Sequence, residues 1–188
     1  MSSKLRSTPK PILTLAAASQ IPGSAPAEIK QVTHQWLRII SSLGGFGGSI
    51  AKRLVLNEVG IRKVEDEEGK EECRVVFEVE VTPDMLNGSG SIHGACSAYL
   101  VDTCTSLPIS ALNKYKGNIP SPGVSQAINM VYHSPAGLAD KLRVVCTTLS
   151  VGARVMSSRC EIWNQTHHRL VASGVHIKME PSAPTPKL

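Results

Sequence analysis

Residues 94–110, "GACSAYLVDTCTSLPIS", contain one carboxylate, Asp102, in a stretch that is otherwise almost uncharged. Aspartate is a poor residue for a helix interior, because its short side chain competes for backbone hydrogen bonds. A charge buried there without partners costs several kcal/mol, or its pKa rises. Two readings follow: Asp102 reaches a surface or pairs with a distant arginine, or it is the reactive group of a site. Just upstream, "NGSGSIHGA" sets His93 and Gly94 where a glycine-rich loop turns into this helix. Free N–H groups and the positive end of the helix dipole favour an anion or a polarised carbonyl oxygen at such a point. Gly94 has no side chain to block a ligand from its amide. In outline this is an oxyanion hole, although many helices begin with glycine for no chemical reason.

Spacing links the two features. His93 and Asp102 are nine residues apart, roughly 900° of rotation and about 13 Å of rise on a helix. They would lie on opposite sides of the helix, too far apart for one reaction centre. A catalytic reading therefore requires Gly94 of one subunit to meet Asp102 of another, most simply in a two-fold dimer with two equivalent sites.

The elements that must position these residues follow from the hydrophobic pattern. The chain has 188 residues, enough for one domain with a real core. Residues 1–27 are rich in Ser, Ala and Pro, with Lys4, Arg6 and Lys10 and no acid before Glu28. They read either as an organellar targeting segment or as a disordered tail, and residues 181–188 as a second tail. The domain is expected over 28–180. Residues 28–43 place Val32, Trp36, Ile39, Ile40 and Leu43 at helical spacing. Strand-like runs follow at 52–64 and 73–81, the second alternating with Cys73, Val75, Phe77, Val79 and Val81 on one face. The central helix should end near Asn113 and kink or break near Pro108, which cannot bond to the Cys104 carbonyl. Four strand-like runs then occupy 123–134, 141–151, 154–165 and 169–179, with Gly152 in a short turn. Tight connections of this kind predict an antiparallel meander. The expected class is α+β, a curved antiparallel sheet wrapped around a long central helix, with an N-terminal helix.

Composition narrows the functions. The net charge of +5 suits a small anionic ligand as well as a nucleic acid, and no aromatic-and-basic interleaving of a stacking platform appears. No apolar run approaches the length of a membrane span. The five cysteines, without a CxxC pair, read as reduced thiols filling the core of an intracellular protein, cytoplasmic or mitochondrial and not secreted. His167 and His168 lack paired cysteines, so no metal site is expected.

The motifs "N-x5-HG-x7-D" (Asn87, His93, Gly94, Asp102), "PGVS" (Pro122 to Ser125), "YHSPA" (Tyr132 to Ala136) and "LVASGVHIK" (Leu170 to Lys178) resemble, in order and spacing, the PaaI-like hotdog acyl-CoA thioesterases of the thioesterase superfamily member 2 type. The resemblance covers roughly residues 30–179. It implies a hotdog fold whose subunits pair to form the sites, commonly within a homotetramer, and an acyl-CoA hydrolase of fatty acid metabolism needing no cofactor, coenzyme A being part of substrate and product. By resemblance Asp102 is the general base or nucleophile and Ser125 helps hold the water, strand alternation setting Ser125 on a polar face with Ala127 and Asn129. Ser106, one helical turn beyond Asp102, is a second candidate for that task. Gly94 polarises the carbonyl, and Asn87 and His93 fix the loop and thioester. Substrate contacts are implied at Tyr132, His133, Ser134, Pro135, Ala136 and Gly137, and at Ser150, Val151, Gly152, Arg154 and Val155, with Lys178 beyond. Arg154 and Lys178 suit the phosphates on chemistry, whereas Lys141, Arg143 and Arg169 read as solvated surface charges. Ala95 stands where the family commonly has a second glycine. Hydratases of this fold place a histidine five residues after the aspartate, which neither Asp84 nor Asp102 matches. A non-catalytic acyl-CoA binder of the same fold is the alternative reading, and Asn87, Asp102 and Ser125 together argue for catalysis.

Overall fold

A computed structural model of the chain describes residues 13–42, 44–65 and 67–181. The expectations for residues 1–12, Leu43 and residues 182–188 lie outside the described residues.

Helix α1 (Leu15–Ser19) is a single turn capped by Thr14, whose hydroxyl accepts from the Ala17 amide. Helix α2 spans Ala27–Ser42. Its buried stripe is rotated from the expected one: Ile29, Thr33 and Leu37 are buried, Ile40 packs beside them, and Ile39 is exposed. The glycine-rich stretch after α2 holds a short helix, α3 (Gly48–Ala51), absent from the sequence reading. Gly47 caps it at φ 68°, and a Cβ there would sit 2.3 Å from the Tyr99 ring. Only glycine lets this loop lie against the central helix.

Strands β1 (Val55–Lys63) and β2 (Glu71–Glu80) form a hairpin. After a 3-10 turn at Pro83–Met85 and the glycine-rich loop comes helix α4, Gly94–Tyr115. Then follow β3 (Val124–Tyr132), β4 (Lys141–Val151), β5 (Val155–Asn164) and β6 (Arg169–Met179). The sheet order is β1-β2-β4-β5-β6-β3, with every pair antiparallel. The meander expectation is correct for β4, β5 and β6. Strand β3 departs from it, crossing to the far edge to pair with β6, because residues 133–140 are a long connection rather than a tight turn.

The sheet curls around α4, which is buried from Leu100 to Asn113 except at Asp102. The expected inward face of β2 is buried at all five positions. The helix runs through Pro108 unbroken; burial on all sides holds the turn that the missing amide would otherwise loosen. Where α4 crosses β6, a Cβ on Gly174 would meet Met130 Sδ at 2.7 Å and Val101 at 3.2 Å, so this glycine sets how closely helix and sheet approach. All five cysteines are free and buried. Burial pushes the Cys73, Cys104 and Cys146 thiols well up, and that of Cys96 up to about 11, so these four thiols are core fillers rather than nucleophiles.

Candidate active site

The loop before α4 is built from hydrogen bonds to its own backbone. Asn87 Oδ1 accepts from the Ser89 amide (3.0 Å), the Ser89 hydroxyl (2.7 Å) and the Ser91 amide (3.2 Å). Asn87 therefore shapes the loop. Asp84 anchors the segment, accepting from Thr82, Ser49 and Arg53; these bonds hold its carboxyl down at about 2. His93 is the N-cap of α4, its Nδ1 accepting from the Ala95 amide at 3.0 Å and its carbonyl from Cys96 and Ser97. Gly94 is the first helical residue, and among the described residues no acceptor faces its N–H. An open amide at the positive end of a 22-residue helix is ready for an oxyanion.

Beside it lies a cleft of about 370 Å³ lined by Gly94, Ser97, Tyr132, His133, Ser134 and Pro135. The Tyr132 hydroxyl donates to the Gly94 carbonyl at 3.2 Å, and the Ala136 carbonyl accepts from Ile92, tying the 132–137 segment to the helix start. On the other side of the same N-terminus, Phe46, Ile50, Leu86, His93, Cys96 and Tyr99 line a second cleft of about 340 Å³, with Phe46 edge-on to Tyr99.

Two helical turns on, the second group assembles. The Asp102 side chain is 46 % exposed, a break in the apolar helix. Ser125 Oγ donates to Asp102 Oδ1 at 2.8 Å. Ser106 Oγ donates to the Asp102 backbone carbonyl at 2.9 Å, and Lys178 Nζ donates to Ser106 Oγ at 2.9 Å and Ser125 Oγ at 3.4 Å. His176 is fully buried, with Nε2 3.5 Å from Asp102 Oδ1 and Nδ1 2.7 Å from Thr105 Oγ1.

Three placements differ from the sequence reading. Ser125 does not share a face with Ala127 and Asn129: a bulge between Ser125 and Ala127 breaks the alternation and turns Ser125 to the helix side with Ile128 and Met130. Lys178 points inward and is 4 % exposed, beside Asp102 rather than out among phosphate contacts. The expected substrate segments fall into separate groups within one chain. Asn87, His93, Gly94 and 132–137 gather at the α4 N-terminus. The hairpin carrying Ser150, Val151, Gly152, exposed Arg154 and Val155 lies instead near the opposite end of β3, Val155 and Val124 both pairing with Met179. His176 and Thr105 were missed altogether.

Burial, reinforced by the Lys178 charge, pushes the His176 imidazole down to about 4, against the pull of Asp102. An unfolded histidine titrates near 6.5, so between about 4 and 6.5 the unfolded chain binds a proton that the folded chain refuses. The stability associated with neutral His176 is complete above pH 6.5 and is lost as pH falls toward 4. The expected loss is on the order of 2 kcal/mol, read as a falling urea midpoint between pH 7 and 5. A His176→Asn variant should flatten that slope; an equal slope in the variant would refute the assignment.

Comparison with known proteins fits this geometry. Residues 89–171 match the family model of the Thioesterase superfamily. That segment holds Gly94, Asp102, Ser125 and Tyr132, whereas Asn87, His176 and Lys178 lie outside it. The fold is of the hotdog type, and the segment within it that holds the α4 N-terminus and Asp102 is similar to the Thioesterase superfamily. The human protein named acyl-coenzyme A thioesterase 13 is 28% identical over 105 residues, covering 56% of this chain and 71% of its own. In structure, zebra fish thioesterase superfamily member 2 superposes with a TM-score of 0.63 at 22% identity, covering 81% of this chain and 98% of its own. The E. coli PaaI protein superposes at 0.57 and 18% identity, covering 80% and 94%.

Proposed function

We propose that the chain is an acyl-CoA thioesterase, hydrolysing a thioester to a free acid and coenzyme A without metal or other cofactor. The observation that carries this reading is the half-exposed Asp102 carboxylate on an otherwise buried helix, with Ser125 on Oδ1 and no described donor on Oδ2. A water held by Oδ2 gives its proton to Asp102 and adds to the thioester carbon. The carbonyl oxygen takes up the negative charge against the Gly94 N–H. When the tetrahedral adduct collapses, the C–S bond breaks and the thiolate leaves with the proton from Asp102.

Gly94 and Asp102 are eight residues apart on one continuous helix, about 12 Å of rise, so one chain cannot bring both to one carbonyl. Each site therefore combines Gly94 of one subunit with Asp102 and Ser125 of the other. Strand β3 supports the pairing: it is a sheet edge of nine residues, VSQAINMVY, with no charge and no proline, the kind of edge that takes another strand. The Tyr132–Gly137 cleft receives the pantetheine arm, and Arg154 meets a phosphate. A homotetramer of two such dimers, working inside the cell in fatty acid metabolism, completes the reading.

The test is thiol release from long-chain, short branched and aromatic acyl-CoAs, with the oligomer sized in parallel. Release from at least one class by a dimer or larger assembly is expected. Binding of all three classes without release would instead identify a non-catalytic acyl-CoA binder.

A further inference from the structure

Lys178 is a buried cation that the reaction above does not use. It sits on β6 directly across from Ser125 of β3 and beside Met156 of β5. We propose that Lys178 is a positioning residue: by donating to Ser125 and Ser106 it dictates where those two hydroxyls send their protons, and so presents one chosen oxygen of Asp102 to water. This inference rests on the hydrolase reading of the site.

The argument is one of donor and acceptor inventory. An ammonium donates and never accepts. Each serine that takes a hydrogen bond from Lys178 must offer it a lone pair, and its own O–H is left to point elsewhere. Ser125 sends its proton to Asp102 Oδ1 at 2.8 Å, and Ser106 sends its proton to the Asp102 carbonyl at 2.9 Å. Both serines thus hold the same residue, one by its side chain and one by its backbone. Lys178 makes no direct ion pair with Asp102; the serines stand between them. Without the ammonium, Ser125 is free to rotate its proton away and Oδ1 competes with Oδ2 for water. A phosphate contact does not account for this side chain, because the ammonium is nearly sealed and already serves two acceptors inside the fold.

The titratable groups facing Lys178 are Asp102 on α4 and His176 on its own strand; β3 contributes Ser125 and β5 Met156. Burial lowers Lys178 from its ordinary 10.5, with Asp102 acting against it. The ammonium therefore loses its proton at a lower alkaline pH than an exposed lysine does, and the positioning fails there.

The experiment measures kcat and KM against pH, on the acyl-CoA that the parent hydrolyses best, for the parent, Lys178→Met and Ser106→Ala. Lys178→Met should lower kcat about tenfold, leave KM within twofold and abolish an alkaline fall in kcat that the parent shows below pH 10.5. Ser106→Ala removes one acceptor of the ammonium and should move that fall to lower pH; it decides the question if Lys178→Met does not fold. A raised KM at unchanged kcat in Lys178→Met would return the residue to phosphate binding and overturn the proposal. So would an alkaline fall that neither substitution moves. Parent activity separates the two levels: an inactive parent overturns the hydrolase reading and this inference together, whereas an active parent indifferent to Lys178 overturns this inference alone.

Discussion

Asp102→Asn is expected to cut kcat by about 10³-fold while the fold and the assembly survive. Asparagine has the same shape, and its carbonyl oxygen can still accept from Ser125, as Oδ1 does at 2.8 Å. The helix around it is held by burial at Val101, Thr103 and Cys104, none of which changes. What disappears is the basicity that takes a proton from water. Single-turnover thiol release on the parent's best acyl-CoA checks this, with thermal melting and sizing alongside. A variant that keeps more than about a tenth of parental kcat would remove Asp102 from the chemistry.

Gly94→Pro should cost about 10²- to 10³-fold in kcat with little loss of stability, because position and chemistry separate cleanly here. Proline is well tolerated at the first position of a helix, where the amide it lacks has no helical partner. His93 already has φ −66° and ψ 136°, the extended geometry that a residue before proline prefers. A Cβ at Gly94 would stand 3.4 Å from the Tyr132 ring, close to ordinary contact. The substitution deletes one N–H. Mixing this variant with Asp102→Asn under conditions that exchange subunits gives a sharper readout. Half of the dimers become hybrids, and each hybrid has one intact site and one doubly damaged site. Recovery to about a quarter of parental activity is expected from two nearly dead proteins. No recovery in demonstrably mixed dimers would refute the shared site.

Much of this was readable from local pattern. Strand-like runs between short turns drew β4 and β6 at their observed boundaries, and the uncharged run after His93 drew α4 with Asp102 as its anomaly. Other features were hidden for identifiable reasons. Helix α3 lies in a stretch so rich in glycine that it reads as loop. The bulge at Ser125 shifts a face by one residue without altering composition. His176 is 74 residues from its carboxylate partner in sequence, a pairing made by sheet topology alone. A usable signal did exist: alternation puts Ala172, Gly174, His176 and Lys178 on one face of β6, and the two small residues mark that face as the one against the helix. Once that is seen, two polar side chains must follow them inward.

The uncharged β3 edge has a consequence for the life of a newly made chain. A lone subunit displays nine strand residues with no lysine, glutamate or proline to deter a wrong partner. On the proposed arrangement, correct pairing hides that edge and completes the catalytic sites in the same event. Solubility and activity would then be gained together, so substitutions that weaken pairing should appear in cells first as insoluble protein, before any kinetic defect is measured.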